Sequence, residues 1–505
     1  MRKSGVLLPI SSIPSKYGIG TFGRKAYEFV DFLEKAGQSY WQILPLGPTG
    51  FGDSPYQSFS TFAGNPYYID LELLLLEGLL TNKHISEYTK DCVSDNGEKN
   101  VDYENLYNTR FTILYEAFKT FSKNNHHDEP QYREFCDKNK YWLDDYALFM
   151  AVKENAFDGK GFCDWDKDIK LREESAIAAY TKEYKEKISF YKFQQYYFMK
   201  QWLPLKEYAN EKGIQIIGDI PIYVAYDSAD TWAEPNLFLF DQTLTPTVVA
   251  GCPPQPHETS GGQIWGNPLY NWEEHKNTGY AWWKRRMEHS YELYNIVRID
   301  HFLSFDQYYT IPYGSETAEF GTLEQGPGYD LFEKIMFSDN QNDKKVSAKV
   351  IAEDLGTVTE SAKQLIERTG FPGMKIMQYA FNCGFESDHL PHNHIKNCVV
   401  YTGTHDNDTV VGWWNSLNQW DKNFAEKYMN IKSGQDINWS LLKAALASVA
   451  DTVIIPMQDY LGLDSDARLN SPSTMGKNWV WRMAEKDIND ELAEKIYEIT
   501  KVFWR

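Results

Sequence analysis

The chain has 505 residues, with 71 acidic against 51 basic side chains and a formal net charge of −20. That charge is dispersed instead of gathered into a tail, which speaks against nucleic acid and anionic membrane as partners, since both reward basic patches. At roughly 150 residues per domain, the length allows about three domains or one large barrel carrying insertions.

The opening MRKSGVLLPISSIPS holds an apolar run too short for a secretory leader and broken at Pro9. Eight apolar runs that end in polar or glycine residues then read as buried strands. In order they are GVLLPI (5–10), YWQILPLG (40–47), IQIIGDIPI (214–222), NIVRIDHF (295–302), KVIAEDLG (349–356), MKIMQY (374–379), NCVVYTGTHD (397–406) and TVIIPMQDYLG (452–462). Eight is the number that closes a parallel barrel, so the expected fold class is α/β, a (β/α)8 TIM barrel. Helix-like segments fill most gaps, among them GRKAYEFVDFLEKAG (23–37) and VTESAKQLIERTG (358–370). Both carry apolar residues at spacings of three and four and finish at glycine, a preferred helix stop.

Two gaps are too long for one helix. Residues 48–213 contain their own helical patterns, such as YWLDDYALFMAVKENAF, and are expected to form an inserted subdomain plus the crossover after the second strand. Residues 223–294, rich in Pro, Gly and Trp, read as an insertion of long loops with little regular structure, including a lid at 250–265. Long loops in a compact enzyme are commonly lids or binding loops. No separate all-β tail is expected after Gly462, and the segment from Asp487 to the end reads as a last helix. Residues 1–505 are thus expected to make a single catalytic barrel. LELLLLEGLL is interrupted by Glu72, Glu77 and Gly78, so no segment approaches a membrane span, and a cytoplasmic location is expected.

Six cysteines (Cys92, Cys136, Cys163, Cys252, Cys383 and Cys398) lie far apart with no C-x-x-C pair, which fits reduced structural thiols. Aromatic residues make up 15% of the chain, with 16 Trp and 34 Tyr. Rings with a polar edge suit sugar faces, while burial in a large core accounts for the same composition equally well.

The chemistry concentrates at the ends of apolar runs. Alternation along a strand puts Arg298 and Asp300 on one face, where a guanidinium favours an ionised, oriented carboxylate. A structural Arg–Asp pair explains the same spacing. Glu353 ends the following run, so a barrel sets it beside Asp300 at one rim. Two carboxyl groups about 5 to 5.5 Å apart are what retaining glycoside cleavage needs. A helix-terminal acid is the competing reading of Glu353, and Asp354 is expected to point away as a hydrogen-bond acceptor. Asp406, after His405 in GTHDN, offers a third carboxylate for stabilising oxocarbenium-like charge. Asp219 closes the third run and would orient Arg298, touch substrate or serve the structure. In a rival reading, His301, His405, Asp300 and Asp406 bind divalent ions; the lack of an H-x-H pair at a first strand end weakens it, and neither metal nor cofactor is expected.

Taken together, LLPISSIPSKYGIGTFG, WQILPLGPTGFGDSPYQSFSTFAGNPYYID, GDIPIYV, IWGNPLY, VRIDHF, IAEDLG, FPGMKIMQYAF and GTHDNDT run through most of the chain. In these motifs the chain resembles the 4-α-glucanotransferases called amylomaltase or disproportionating enzyme, glycoside hydrolase family 77 of the α-amylase clan. The resemblance implies transfer of α-1,4-glucan segments between malto-oligosaccharides by a retaining double displacement. It implies Asp300 as nucleophile, Glu353 as general acid/base and Asp406 as transition-state stabiliser, with Arg298, His405 and Asp219 as supporting contacts. Tyr56 would stack near the cleaved sugar and Trp265 would line the substrate path. Two places depart from the family pattern. Pro253 and Pro254 are followed by Gln255, Pro256, His257 and Glu258 where an aromatic pair is usual, and Asn470-Ser471-Pro472 stands where Asn-Val-Pro is common. The first bears on lid grip and on the ratio of transfer to hydrolysis. An α-glucan hydrolase using the same acids, and a catalytically silent glucan-binding protein, are the alternatives.

Overall fold

The computed structural model describes residues 2–92, 99–254, 261–336, 349–382, 386–432 and 434–505. Its strands, in chain order, are β1 (Lys3–Leu7), β2 (Tyr40–Gln42), β3 (Gln215–Pro221), β4 (Val248–Cys252), β5 (Gln263–Pro268), β6 (Ile296–Asp300), β7 (Gln307–Pro312), β8 (Thr322–Gln325), β9 (Val350–Ala352), β10 (Gly373–Ile376), β11 (Cys398–Tyr401) and β12 (Thr452–Pro456). Eight of them pair side by side in the order β10-β11-β12-β1-β2-β3-β6-β9, every pairing parallel. The two ends of that series meet through the Ala352 N–H, which donates to the Pro372 carbonyl at 3.0 Å, so the sheet closes into a (β/α)8 barrel. Val6, Ile216, Val297, Val350, Val400 and Ile454 are buried, as parallel strands covered on both faces require.

All eight expected strands are present, but each is shorter than its apolar run. The run at 452–462 is a strand only to Pro456; Met457–Leu461 is a helix, ended by Gly462 in the left-handed conformation at φ 65°. The run at 374–379 turns into a 3-10 helix at Met377–Tyr379, and the run at 397–406 leaves the ladder after Tyr401. A hydrophobic run reports burial, and in a barrel the turn out of a strand is buried too. At Gly218 in β3 an added Cβ would lie 2.2 Å from the Tyr294 ring, so only glycine fits this approach.

Helices Arg24–Lys35 and Glu360–Thr369 stand where the sequence puts them, the second ended by Gly370 at φ 69°. Between β2 and β3 the longest helices are Tyr103–Lys123, Lys140–Ala156 and Lys185–Glu211, packed through edge-to-face rings such as Phe118–Phe193 and Phe121–Phe193. Trp41, Trp202, Trp232, Trp282 and Trp283 are buried as well. Much of the aromatic excess is therefore core, and only a few rings face the cleft described below.

The stretch 223–294 is more regular than its composition implies. β4 and β5 form an antiparallel pair inside it, and β4 also pairs with β7, which lies beyond β6, so a second sheet of order β5-β4-β7-β8 stands apart from the barrel strands. A register shift between Val249 and Gly251 interrupts the alternation that would mark β4 in the sequence. Within the expected lid, Gly251 faces Ile264 and Cys252 faces Gln263 across the ladder. Residues 255–260, including the departures from Gln255 to Glu258, lie outside the described residues, as does Cys383. The last helix runs Asp490–Val502, and among the described residues no helix is long and apolar enough to cross a membrane.

Candidate active site

β3 and β6 are in register with Asp219 opposite Arg298 and Pro221 opposite Asp300. Arg298 Nη1 consequently reaches Asp219 at 2.6 Å (Oδ2) and 2.8 Å (Oδ1), and Asp300 Oδ1 at 2.9 Å. Burial opposes the guanidinium charge, but the two carboxylates outweigh it and raise the Arg298 pKa well above its usual value. The Arg298 and Asp219 side chains are 3% and 0% exposed, whereas Asp300 is 29% exposed and opens to the cleft. Removing the guanidinium would strand Asp219 as a buried charge. Arg298→Met is therefore expected to destabilise the protein by about 3–5 kcal/mol, read as thermal melting at pH 7. The loss should shrink on acidification as Asp219 takes up a proton; a melting temperature unchanged from the parent would contradict it.

Glu353 directly follows β9, and its backbone N–H donates to Ile299 of the neighbouring β6 at 3.1 Å. Its carboxylate accepts the His301 N–H at 2.7 Å (Oε2) and the Leu355 N–H at 2.8 Å (Oε1). His301 takes the left-handed conformation at φ 52°, which turns its N–H toward that carboxylate. Burial first, and then the charge of Asp300, push the Glu353 pKa up to about 7, against the pull of Arg298 and the two backbone donors. Asp354 points away, accepting the Met374 N–H at 2.6 Å.

Asp406 lies five residues past the end of β11, in a loop and not at the strand end that its apolar run implies. His405 Nε2 is 3.3 Å from its Oδ2, the Asn470 side-chain amide donates to Oδ1 at 2.6 Å, and Arg468 donates to its carbonyl at 2.6 Å. Burial alone would raise the Asp406 pKa; His405 and Asn470 reverse this and hold it well below the usual carboxylate range. His405 moves the other way: burial disfavours its charge, but Asp406 raises its pKa.

Tyr56 lies over the His405 ring at 5.0 Å and 22°, and its hydroxyl donates to Asp219 Oδ2 at 2.9 Å. The Trp265 ring meets His301 edge-on at 4.7 Å. Tyr56, Trp265, Arg298, Asp300, Glu353, His405 and Asp406 all line one cleft of about 970 Å³. Asp219 is the exception among the expected site residues, seated behind Tyr56 and Arg298. His301, His405, Asp300 and Asp406 do not converge as metal ligands; no such cluster occurs among the described residues.

Sequence reasoning missed Trp479, whose ring lies 5.7 Å from Tyr56 and 5.9 Å from His405, and Tyr379, which reaches the loop of Asp406 by accepting from Asn407 at 3.0 Å. Trp479 sits at φ 64° in an irregular segment, where no periodicity announces it.

The profile of the 4-alpha-glucanotransferase family matches residues 8–488. A 4-alpha-glucanotransferase of Clostridium butyricum is 47% identical over 98% of this chain and 99% of its own. One of Streptococcus pneumoniae is 45% identical over 100% of this chain and 97% of its own. The solved structure of an amylomaltase from Streptococcus agalactiae in complex with acarbose superposes with a TM-score of 0.94 at 42% identity, covering 100% of both chains.

Proposed function

The chain belongs to the 4-alpha-glucanotransferase family, glycoside hydrolase family 77, and from that premise we propose that its transfer reaction is a retaining double displacement between Asp300 and Glu353. The enzyme is a 4-α-glucanotransferase acting on α-glucans. The observation that carries the proposed mechanism is the contrast between two carboxyls at adjacent strand ends. Asp300 is paired with Arg298 at 2.9 Å, while Glu353 is buried beside that negative charge with its pKa pushed up to about 7. A carboxylate held by a guanidinium suits a nucleophile, and a buried carboxyl that keeps its proton suits a general acid.

Asp300 attacks the anomeric carbon as the glycosidic bond breaks, and Glu353 gives its proton to the departing oxygen. The glycosyl group is then held as an ester of Asp300. A second glucan's 4-hydroxyl, losing its proton to Glu353, attacks the same carbon and releases Asp300, so two inversions restore the α configuration. Asp406, kept ionised and oriented by His405 and Asn470, stabilises the positive charge that develops on the sugar ring. Tyr56 offers a face for the cleaved sugar, and Trp265 lines the substrate path. The finer substrate is a malto-oligosaccharide or another α-1,4-glucan, and the lid at 250–265 favours sugar over water as acceptor.

The chain works as one catalytic barrel in which 48–213 and 223–294 are insertions. Cys92, Cys136, Cys163 and Cys398 stand outside any disulfide, in keeping with a cytoplasmic location. Incubation of the pure protein with maltotriose, resolved by chain length, tests the transfer. Glucose with a ladder of longer oligomers is expected; glucose and maltose alone would make water the acceptor and overturn it.

A further inference from the structure

The loop that carries His405 and Asp406 is tied at both ends to one buried carboxylate that lines no part of the cleft. Asp459, 1% exposed, sits in the short helix after β12. The Thr402 hydroxyl, just past β11, donates to its Oδ2 at 2.6 Å. The N–H of Val410, which opens helix Val410–Ser416, donates to its Oδ1 at 2.8 Å. Asp459 is itself held in place, since its backbone carbonyl accepts the Asn438 side-chain amide at 2.9 Å.

Between the two anchors run residues 403–409, and this short loop is braced both from within and by its neighbours. The Asn407 side-chain oxygen accepts from the Thr404 N–H at 2.8 Å and its hydroxyl at 2.9 Å. Gln378 donates to the Asp408 carbonyl at 2.7 Å, and Ser465 donates to the Asp408 carboxylate at 2.7 Å. The Asn407–Thr404 bonds make the loop shift as a unit, so where its ends are pinned helps decide where its side chains stand. Burial pushes the Asp459 pKa up to about 7, which is the cost of keeping a carboxyl in this position.

We infer that Asp459 is a positioning residue for glycosyl transfer: by clamping both ends of the 403–409 loop it sets where the Asp406 carboxylate and the His405 ring stand in the cleft. It touches no reacting atom, and the inference rests on the reading of Asp406 given above. Misplacing a catalytic group by about 1 Å costs on the order of 10²-fold in rate.

The test is a double-mutant cycle on the full chain with maltotriose as substrate. Asp459→Ala is expected to lower kcat by about 10²-fold with KM changed less than about twofold. Asp459→Asn should keep at least about a tenth of kcat, because its amide oxygen can accept the Val410 N–H and its NH2 can donate to a turned Thr402 hydroxyl. In an Asp406→Ala background, Asp459→Ala should cost less than about threefold, because the group it aligns is gone. A purely structural Asp459 would cost the same in both backgrounds, and that result, or parental kcat in a folded Asp459→Ala, would overturn the inference. If Asp459→Ala does not fold, Thr402→Val keeps the shape and removes one anchor; about tenfold lower kcat at constant KM is expected, and parental kcat would overturn it. Near-parental turnover in Asp406→Ala alone would instead overturn the reading of Asp406 itself, so the two failures are distinguishable.

Discussion

Asp300→Ala is expected to lower turnover of maltotriose by about 10⁴–10⁶-fold, the range seen when a covalent nucleophile is removed and only binding and charge stabilisation remain. The fold should survive. The Asp300 side chain is 29% exposed, and Arg298 keeps its partner Asp219 at 2.6 Å, so no buried charge is stranded. This separates Asp300 from Arg298, whose loss would be felt mainly in stability. The check is a turnover assay beside a thermal melt of the same preparation. Residual transfer above about one part in 10³ would refute the nucleophile, and a collapsed melting temperature would refute the account of the ion pair.

The second large effect is on pH dependence, through Glu353. The proposed first step needs Glu353 protonated, and its pKa is pushed up to about 7. As pH rises through that value the proton is lost, so kcat/KM should fall about tenfold per unit above it. Glu353→Gln should lower kcat by about 10²–10⁴-fold on maltotriose and abolish the alkaline limb. Stability also falls with rising pH, over a lower range. Folding raises this carboxyl from 4.5 to about 7, so the folded state holds the proton more tightly than the unfolded state does. The parent therefore loses stability as pH climbs between these values, by up to about 3 kcal/mol when the carboxylate is fully formed. Glu353→Gln escapes that loss, less whatever its amide NH2 costs against the His301 or Leu355 N–H. An alkaline limb that persists in the variant would assign the titration to another group.

The sequence made the barrel legible because its strands are largely buried and read as mostly apolar runs. It made Asp219, Arg298, Asp300 and Glu353 legible because they sit on or beside such runs. Asp406 was legible as a candidate but not in its place, since the apolar run 397–406 continues past the ladder into a buried turn. The second sheet was hidden for a different reason. β4 finds partners on both sides of β6, and neither pairing leaves a local signature. Trp479 was hidden likewise, in an irregular segment with no period, while Tyr379 and Asp459 lie where the apolar runs 374–379 and 452–462 turn into short helices that the sequence does not mark. Aromatic composition was the weakest guide, because burial of Trp41, Trp202 and Trp232 explains the excess as well as sugar does.

The covalent ester on Asp300 is the centre of the proposed mechanism, and it can be trapped. Glu353→Gln would be incubated with α-maltotriosyl fluoride, whose leaving group needs no proton, digested, and read by mass spectrometry. The first displacement should proceed while the second, lacking its base, stalls. A maltotriosyl adduct on the peptide containing Asp300 is the expected result. An adduct on any other residue, or steady release of a β-configured product with no adduct, would contradict the double displacement.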